Sequence, residues 1–289
     1  MSSEWDVVVI GAGPAGLSAA ADVASSGLRC LCLDKMGPGG ALINLGALQH
    51  MDEEVAGPDL VGRLTGAATE AGVELGFSEV VGLSGKGPWT VETAEGESHG
   101  ARAVIVASGL SPGRLGVPDE ESFEGRGLSH CAACDGPLFA GERVIVAGAE
   151  GWAAHEAQEL AGMVGHVTVV APSPAAAPAA PNIELVVGRI VALQGANGLE
   201  SVAVEQGGAR RSLPAQAVFV YLDQSPAAEF VPDSLARDAA RHIVVHINGE
   251  TSAAAIFAAG DVRAGSSQRV KEAIADGKRA AQAAIAALR

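Results

Sequence analysis

The feature that most constrains the fold of this chain is a glycine-rich turn, GAGPAG, near its start. The turn occupies residues 11–16 and follows a predicted buried strand at residues 5–10. An Ala-rich helix is expected to about Ser26, and a second strand at residues 29–33 ends at Asp34. A strand, a glycine turn, a helix and a strand within about 30 residues are the pattern of a βαβ unit.

The glycines and the acid of this unit have the spacing that a bound dinucleotide requires. Gly11 allows the tight turn, Gly13 lets the backbone approach a pyrophosphate, and Gly16 lets the helix pack on the strand. The helix N-terminus favours an anion, and Asp34, 23 residues beyond Gly11, can accept hydrogen bonds from ribose hydroxyls. The turn therefore predicts a dinucleotide site, without distinguishing FAD from NAD.

The same pattern returns in the middle of the chain. A strand is predicted at 144–147, a turn, GAEGWA, at 148–153, a helix to about Val164 and a strand at 166–170. The other predicted elements are a helix at 58–71, strands near 89–93, 103–107, 184–187, 199–204, 217–221 and 256–261, a proline-rich loop at 171–181, and a helix at about 268–288. We therefore predict an α/β fold with two βαβ units, inserted antiparallel strands, and domain junctions near Val117 and His246.

Length and composition exclude several classes of protein. A chain of 289 residues favours two domains, and no apolar stretch reaches the roughly 18–20 residues of a membrane span. A net charge of −15 opposes binding to nucleic acid or anionic lipid. Four cysteines without a secretion signal indicate a reducing compartment, so we expect a cytoplasmic protein in which any disulfide is catalytic.

The segment Cys131-Ala-Ala-Cys134 is the candidate reactive site. A structural zinc ion would need two more ligands, but Cys30 and Cys32 lie in a predicted strand and are interpreted as buried small hydrophobic residues, so no metal is expected. Two cysteines separated by two residues can act as a redox pair. Asp135 can deliver a proton to a departing thiolate. His130 could modulate the thiol pKa, the alternative being a solvated histidine.

Several ordered motifs resemble those of a known family. Ala107-Ser108-Gly109 and the late turn AAGD at residues 258–261 resemble the turns that flank FAD in flavoprotein disulfide reductases. The strings CAACDGPLFAGERVIVAG and IFAAGD resemble low-molecular-weight thioredoxin reductases. The wording CDGPLF and ELAGMVGHVTVV is still more similar to the flavoprotein subunit of alkyl hydroperoxide reductase. The resemblance spans essentially the whole chain.

The resemblance implies a fold, a cofactor and roles for residues. It implies two Rossmann-like domains: a discontinuous FAD domain at 1–117 and 246–289, and an inserted domain at 118–245 that carries the cysteines. It also implies a homodimer, with Cys134 facing the flavin and Cys131 attacking the partner disulfide. The residues it assigns to FAD are Gly11, Gly13, Pro14, Ala15, Gly16, Asp34, Lys35, Gly40, Ala41, Leu42, His50, Ala107, Ser108, Gly109, Gly260, Asp261, Gln268, Arg269 and Val270.

Three departures from the family pattern fall on its NADPH site. Glu150 replaces the glycine that lets the backbone approach a pyrophosphate, and a carboxylate about 5 Å from a phosphate costs on the order of 3 kcal/mol at an effective dielectric near 20. The segment 171–174 lacks the basic residues that bind the 2′-phosphate, and no Arg or Lys follows until Arg189. Asp223 replaces a third glycine. We therefore expect that NADPH is not the direct electron donor.

These observations predict an FAD-dependent dithiol/disulfide oxidoreductase acting on a protein or small-molecule dithiol or disulfide. One version is a reductase supplied by ferredoxin or another electron carrier. A second is an oxidase that forms a disulfide and passes electrons to oxygen; its relatives generally have His after the second cysteine, so Asp135 favours the reductase. A third hypothesis is a non-catalytic flavoprotein partner, which would not require both cysteines and Asp135.

Overall fold

The computed structural model describes residues 5–44, 48, 51, 54–149, 152–173 and 180–289, except for the side chains of Asn44 and Trp152. The chain forms two compact units: unit 1 comprises Met1–Ser111 and Ser225–Arg289, and unit 2 comprises Pro112–Gln224. Within the described residues, no helix is both long and apolar enough to cross a membrane.

The elements are numbered in chain order. The strands are β1 (Trp5–Ile10), β2 (Cys30–Asp34), β3 (Glu74–Phe77), β4 (Val80–Gly85), β5 (Trp89–Thr93), β6 (Ser98–Val106), β7 (Leu110–Ser111), β8 (Leu128–Ser129), β9 (Arg143–Ala147), β10 (His166–Ala171), β11 (Ile183–Val187), β12 (Arg189–Gln194), β13 (Ser201–Gln206), β14 (Ala209–Pro214), β15 (Ala217–Val220), β16 (Ser225–Pro226) and β17 (Ile256–Ala258). The α-helices are α1 (Pro14–Ser25), α2 (Gly57–Glu70), α3 (Ala132–Asp135), α4 (Trp152–Ala161) and α5 (Val270–Leu288). Short 3-10 helices occupy Gly40–Asn44, Glu120–Phe123, Gly136–Phe139 and Gly260–Val262.

Unit 1 is built on one twisted sheet in the order β3-β2-β1-β6-β5-β4, with β17 also paired to β6. The strands β3, β2, β1, β6 and β17 run parallel, whereas β4, β5 and β6 form an antiparallel meander. Residues 7–10 are apolar and buried on both faces of the sheet, which is typical of a central parallel strand. The carboxyl ends of β1, β2 and β6 therefore lie at one edge, where the glycine turn begins.

Helices α1 and α5 pack together on one face of this sheet. Leu17, Phe257 and Ala281 belong to the same buried cluster, and a Cβ on Gly277 would overlap the backbone of Ala15. Glycine at position 277 therefore lets α5 approach the N-terminal turn of α1.

Packing on the opposite face of the sheet places the second domain junction earlier in the chain than the sequence predicts. The sequence places residues 225–245 in the inserted domain, but Ala228, Val231 and Leu235 are buried in the unit 1 core together with Val8. Their apolar side chains cover the unit 1 sheet, so the chain returns to unit 1 at Ser225 rather than near residue 246. The first crossing likewise precedes Val117, which is buried in the unit 2 core.

Unit 2 repeats the layered α/β arrangement. Its parallel sheet has the order β11-β10-β9-β15-β8, and a separate antiparallel sheet has the order β12-β13-β14. Helix α4 packs on one face through Ala153, Ala157 and Leu160. Ile190 and Val202, from the antiparallel sheet, lie in the core of the other face.

Most predicted elements are confirmed, so the α/β class with two Rossmann-like units stands. The strands β3, β7, β8, β12, β14 and β16 have no counterpart in the prediction. Three of them have only two residues, and β14, ARRSLP, is exposed along most of its length and lacks an apolar alternation. Helix α4 ends at Ala161 rather than near Val164. Of the predicted loop, Ala171 closes β10, and residues 174–179 lie outside the described part of the chain.

Candidate functional site

The first glycine turn has the geometry that its spacing predicts. Gly11 has a φ of +103°, and a Cβ there would overlap the carbonyl of Ala107. A Cβ on Gly16 would overlap the carbonyl of Gly11. A Cβ on Gly13, in contrast, would meet nothing within 4 Å. Gly11 and Gly16 are therefore needed for the backbone fold, and Gly13 leaves an open space beside the turn.

That open space faces the N-terminus of α1. Gly13 is the N-cap residue, no side chain caps the helix, Pro14 occupies its first turn, and the first turn carries no acidic residue. The first backbone N–H groups of a helix have no partner within the helix and attract anions. Gly13 and the start of α1 thus form a site suited to a phosphate group.

Asp34 closes one side of this site. Its Oδ2 accepts a hydrogen bond from the Ala12 N–H at 2.8 Å, and its Oδ1 accepts from the N–H groups of Met36 at 2.8 Å and Gly37 at 3.0 Å. These bonds hold the carboxylate against the glycine turn, where its remaining lone pairs can accept from a ribose. Lys35 points elsewhere, forming an exposed pair with Glu79 at 3.5 Å.

The next predicted segment also meets the turn. Gly39 N–H donates to the Ala12 carbonyl at 2.9 Å, and a Cβ on Gly40 would lie 3.5 Å from the Gly13 Cα. Ala41 and Leu42 continue the same 3-10 helix, with Leu42 buried. His50 lies outside the described residues.

The late turn, which precedes α5, lies against the start of α1. A Cβ on Gly260 would lie 3.0 Å from the Ala15 Cβ, and Asp261 Oδ1 accepts a hydrogen bond from Ser266 Oγ at 2.6 Å. Further along, Gln268 has a φ of +55°, Arg269 is the N-cap residue of α5, and Val270 begins the helix.

The internal turn after β6 is held from the returning chain. Ser108 Oγ donates to the Ala227 carbonyl at 2.6 Å, and Gly109 has a φ of +69°. The residues whose contacts bring them to the first glycine turn are thus Asp34, Gly39, Gly40, Ala107 and Gly260.

In unit 2, Cys131 and Cys134 form a disulfide with a Cα–Cα distance of 5.4 Å. Cys131 is the N-cap residue of the four-residue helix α3, and its Sγ accepts a hydrogen bond from the Cys134 N–H at 3.1 Å. Cys134 is exposed and Cys131 is half-buried. The backbone of α3 thus presents a hydrogen-bond donor to the Cys131 sulfur.

A serine that the sequence analysis missed connects Cys131 to Asp135. The Ser129 Oγ donates to Asp135 Oδ2 at 2.6 Å, and it accepts from the Cys131 N–H at 3.1 Å. Ser129 is only 6% exposed, so its hydroxyl has little access to water. The serine therefore holds the carboxylate of Asp135 beside the peptide of Cys131.

His130 is half-buried rather than solvated. Its Nε2 lies 3.2 Å from Glu124 Oε1, and its Nδ1 lies 3.4 Å from the Val220 carbonyl. These contacts turn the imidazole of His130 toward Glu124 and β15.

A second missed pair lies on the other side of Cys131. The Tyr221 hydroxyl accepts a hydrogen bond from the Ala132 N–H at 2.8 Å and donates to Glu156 Oε2 at 2.8 Å. Burial, and then the nearby Glu156 carboxylate, raise the pKa of Tyr221 far above its usual value, so the hydroxyl keeps its proton. Tyr221 is the only tyrosine of the chain and ends a predicted buried strand, which was the available sequence signal.

Cys30 and Cys32 are buried free thiols in the unit 1 core, as their alternation along β2 predicts. Burial raises the pKa of Cys30 to about 12. Burial and the neighbouring Cys30 and Asp34 raise that of Cys32. In the described part of the chain, no cluster of three His, Cys, Asp or Glu residues could hold a metal ion.

The second glycine turn is described in part. A Cβ on Gly148, which has a φ of +113°, would overlap the Tyr221 carbonyl, and Glu150 lies outside the described residues. After β10 the exposed Pro172 and Ser173 carry no charge. Arg189 belongs to the antiparallel sheet, where it lines a pocket of about 350 Å³ together with Glu205, Arg210 and other residues.

The comparison with known proteins covers nearly the whole chain. Residues 5–277 match the family described as pyridine nucleotide-disulphide oxidoreductase. A thioredoxin reductase from Treponema pallidum (strain Nichols) is 31% identical over 299 residues, covering 98% of this chain and 97% of the relative. The solved thioredoxin reductase of Lactococcus lactis has a TM-score of 0.85 at 28% identity, with 99% of each chain covered. A ferredoxin-flavin thioredoxin reductase from Clostridium acetobutylicum has a TM-score of 0.56 at 26% identity, with 98% of this chain and 97% of that chain covered.

Proposed function

Because this chain belongs to the pyridine nucleotide-disulphide oxidoreductase family and is a thioredoxin reductase-like, FAD-dependent disulfide oxidoreductase, we propose that Cys131 and Cys134 are its redox centre. The observation that carries the proposal is the disulfide at the N-terminus of α3, with Asp135 held beside it by Ser129. The external substrate is a disulfide or dithiol of a protein or small molecule.

The residues of unit 1 fit FAD. The uncapped N-terminus of α1 and the open space at Gly13 suit its pyrophosphate, and the carboxylate of Asp34 suits a ribose. The segment from Gly40 to Leu42, the turn at residues 107–109, the turn at Gly260 and Asp261, and residues 268–270 would hold the rest of the cofactor. When bound, FAD supplies a carrier that accepts and returns two electrons.

The residues of unit 2 carry out thiol–disulfide exchange. In the reductase direction, Asp135 takes the proton of the Cys131 thiol, and the resulting thiolate attacks the external disulfide. One external thiolate leaves and takes this proton from Asp135. The Cys134 thiol then attacks the Cys131 sulfur of the mixed disulfide, the second external thiolate leaves with the Cys134 proton, and the internal disulfide is restored. Two electrons have passed to the external disulfide, and the next dithiol is generated with electrons from FAD.

We further propose that NADPH is not the direct electron donor. Pro172 and Ser173 offer no positive charge after β10, and Arg189 lies in a different sheet, near Glu205 and Arg210. Glu150 and Asp223 add negative charge at positions where the family pattern that the sequence resembles has glycine. Each of the two carboxylates, and a 2′-phosphate without a cationic partner, would weaken the binding free energy of NADPH by about 1–3 kcal/mol. Together they would raise the dissociation constant for NADPH from the micromolar to the millimolar range.

An electron carrier such as ferredoxin is the proposed donor. A similar solved protein is named a ferredoxin-flavin thioredoxin reductase, and other relatives are named thioredoxin reductases, which supports a protein disulfide as the substrate. We also propose a homodimer. The free thiols Cys30 and Cys32 support a reducing, cytoplasmic location.

Anaerobic reduction of the FAD-loaded protein tests this function. NADPH, NADH, reduced ferredoxin and dithiothreitol are compared in parallel, with flavin absorbance as the readout. We expect bleaching by dithiothreitol and ferredoxin, and slow or no bleaching by NADPH. The control variant Cys134→Ser should retain FAD and lose bleaching by the dithiol.

Two results would contradict the proposal. Full dithiol-linked bleaching in Cys134→Ser would remove the cysteine pair from the reaction. Reduction by NADPH on the order of tens per second, with half-saturation at micromolar concentration, would make the protein an ordinary NADPH-dependent enzyme.

A further inference from the structure

A buried tyrosine and a buried glutamate meet the peptide that separates the two redox cysteines. Tyr221 follows β15, Glu156 lies on α4, and Ala132 is the first residue of α3. The Ala132 N–H donates to the tyrosine hydroxyl and the hydroxyl donates to the carboxylate, both at 2.8 Å. Glu156 is only 8% exposed, so water does not readily replace either bond. Three separate elements of unit 2 are thus joined at the start of α3.

Helix α3 depends on such external contacts for its position. It has four residues, far fewer than an isolated helix needs to be stable in water. Ser129 holds the amide of Cys131 on one side, and Tyr221 holds the amide of Ala132 on the other. The two hydroxyls therefore hold consecutive peptide groups at the beginning of the Cys131–Cys134 ring.

We propose that Tyr221, whose hydroxyl donates a hydrogen bond to Glu156, is a positioning residue that stabilises the Cys131–Cys134 disulfide against reduction. The proposal rests on the proposed role of this pair as the redox centre. A disulfide is favoured over its dithiol when the fold keeps the two sulfurs near each other, because this raises their effective concentration. The anchored helix holds the two Cα atoms 5.4 Å apart, within the range that a disulfide requires.

The direction of the effect follows from this geometry. Without the tyrosine hydroxyl, the Ala132 N–H loses its acceptor, and a buried unpaired donor favours displacement of α3. The two thiols of the reduced state then spend less time within reach of each other. We expect Tyr221→Phe to lower the equilibrium constant for disulfide formation about tenfold, which is a rise of about 30 mV in the reduction potential of a two-electron couple.

Equilibration of the FAD-loaded full chain with dithiothreitol measures this constant. In the reaction, the protein disulfide and reduced dithiothreitol give the protein dithiol and cyclic oxidised dithiothreitol, with two electrons and two protons transferred. After anaerobic equilibration at fixed ratios, the sample is quenched in acid, alkylated and digested. Mass spectrometry of the peptide that contains Cys131 and Cys134 then gives the reduced fraction, without any need for the external partner.

Matched variants separate positioning from general loss of stability. Thr251→Val removes another buried hydroxyl, which donates to the Ile256 carbonyl in unit 1 at 2.9 Å, and it should leave the constant within twofold of the parent. Glu156→Leu leaves the tyrosine hydroxyl without its acceptor, and should shift the constant in the same direction by at least threefold.

The Tyr221 and Glu156 variants decide whether the tyrosine stabilises the disulfide. A change below twofold in Tyr221→Phe, or a shift toward a more stable disulfide, overturns it. If that variant cannot be purified in folded form, Glu156→Leu decides by the same criterion. If Tyr221→Phe shifts the constant as expected but dithiothreitol does not bleach the flavin of the parent protein, the proposed function is refuted and the positioning role of Tyr221 stands.

Discussion

Replacing Gly13 with alanine should separate folding from cofactor binding. Gly13 has a φ of −74° and a ψ of −174°, a conformation that alanine adopts without strain, and a Cβ there meets nothing within 4 Å. Alanine restricts the unfolded chain, which stabilises by about 0.4–1 kcal/mol, but it is a poorer N-cap residue than glycine by a comparable amount. The two effects oppose each other, so the free energy of unfolding of the apo protein should change by less than about 1 kcal/mol.

The affinity for FAD should fall much further. The new methyl group would occupy the space through which a pyrophosphate approaches the first N–H groups of α1. Loss of one hydrogen bond to a charged phosphate costs about 1.5–3 kcal/mol, which raises the dissociation constant roughly 10- to 150-fold. The difference between these two magnitudes makes the variant informative.

Urea unfolding of the apo protein and titration with FAD, followed by flavin fluorescence, measure the two quantities. Gly62→Ala on α2 is the matched control, since a Cβ there also meets nothing within 4 Å. It should fold and bind FAD like the parent. Parent-like affinity in Gly13→Ala would show that no phosphate approaches this residue, and a loss of several kcal/mol in apo stability would show that the space is not open.

Two further predictions concern the thiols and their surroundings. Ser129→Ala removes the hydroxyl that holds Asp135. Because a hydrogen bond to a charged group contributes about 1.5–3 kcal/mol, dithiol-linked turnover should fall roughly 10- to 150-fold with FAD content unchanged. Unchanged turnover would argue against a proton-transfer role for Asp135. After reduction at pH 8, a maleimide should label only the redox pair of the native protein, because burial raises the pKa of Cys30 to about 12 and also raises that of Cys32, so that both remain protonated. Unfolded protein should label at all four cysteines, and four labels on the native protein would contradict the burial of β2.

The sequence predicts the structure well where the determining contacts are local. The prediction of a βαβ unit at residues 5–34 is correct, because a continuous apolar run, a glycine turn and an Ala-rich helix follow one another directly. The need for glycine at position 11 is also predictable. The residue that requires it, Ala107, is not, because it comes from β6 and meets the turn only when the parallel sheet forms.

Long-range contacts account for what was missed. Tyr221 is 89 residues from Ala132 and 65 residues from Glu156, and they meet because the sheet order places β15 between β9 and β8. The return of the chain to unit 1 at Ser225 was missed for the same reason. The segment 225–245 has few regular elements, and only its packing on the unit 1 sheet shows where it belongs.

Because β7 pairs with β16, unit 2 is an insertion between two adjacent positions of unit 1. In unit 1, Ser111 is the register partner of Ser225 and Leu110 that of Pro226, in antiparallel orientation. The chain therefore leaves unit 1 and re-enters it at adjacent positions, a gap that a two-residue turn closes in ordinary hairpins. For the folding of unit 1, the 113 residues of unit 2 are topologically equivalent to a hairpin loop, since residues 112–224 separate the paired ends. Changes to the disulfide-bearing unit can thus accumulate without altering the connections among the strands of the larger unit.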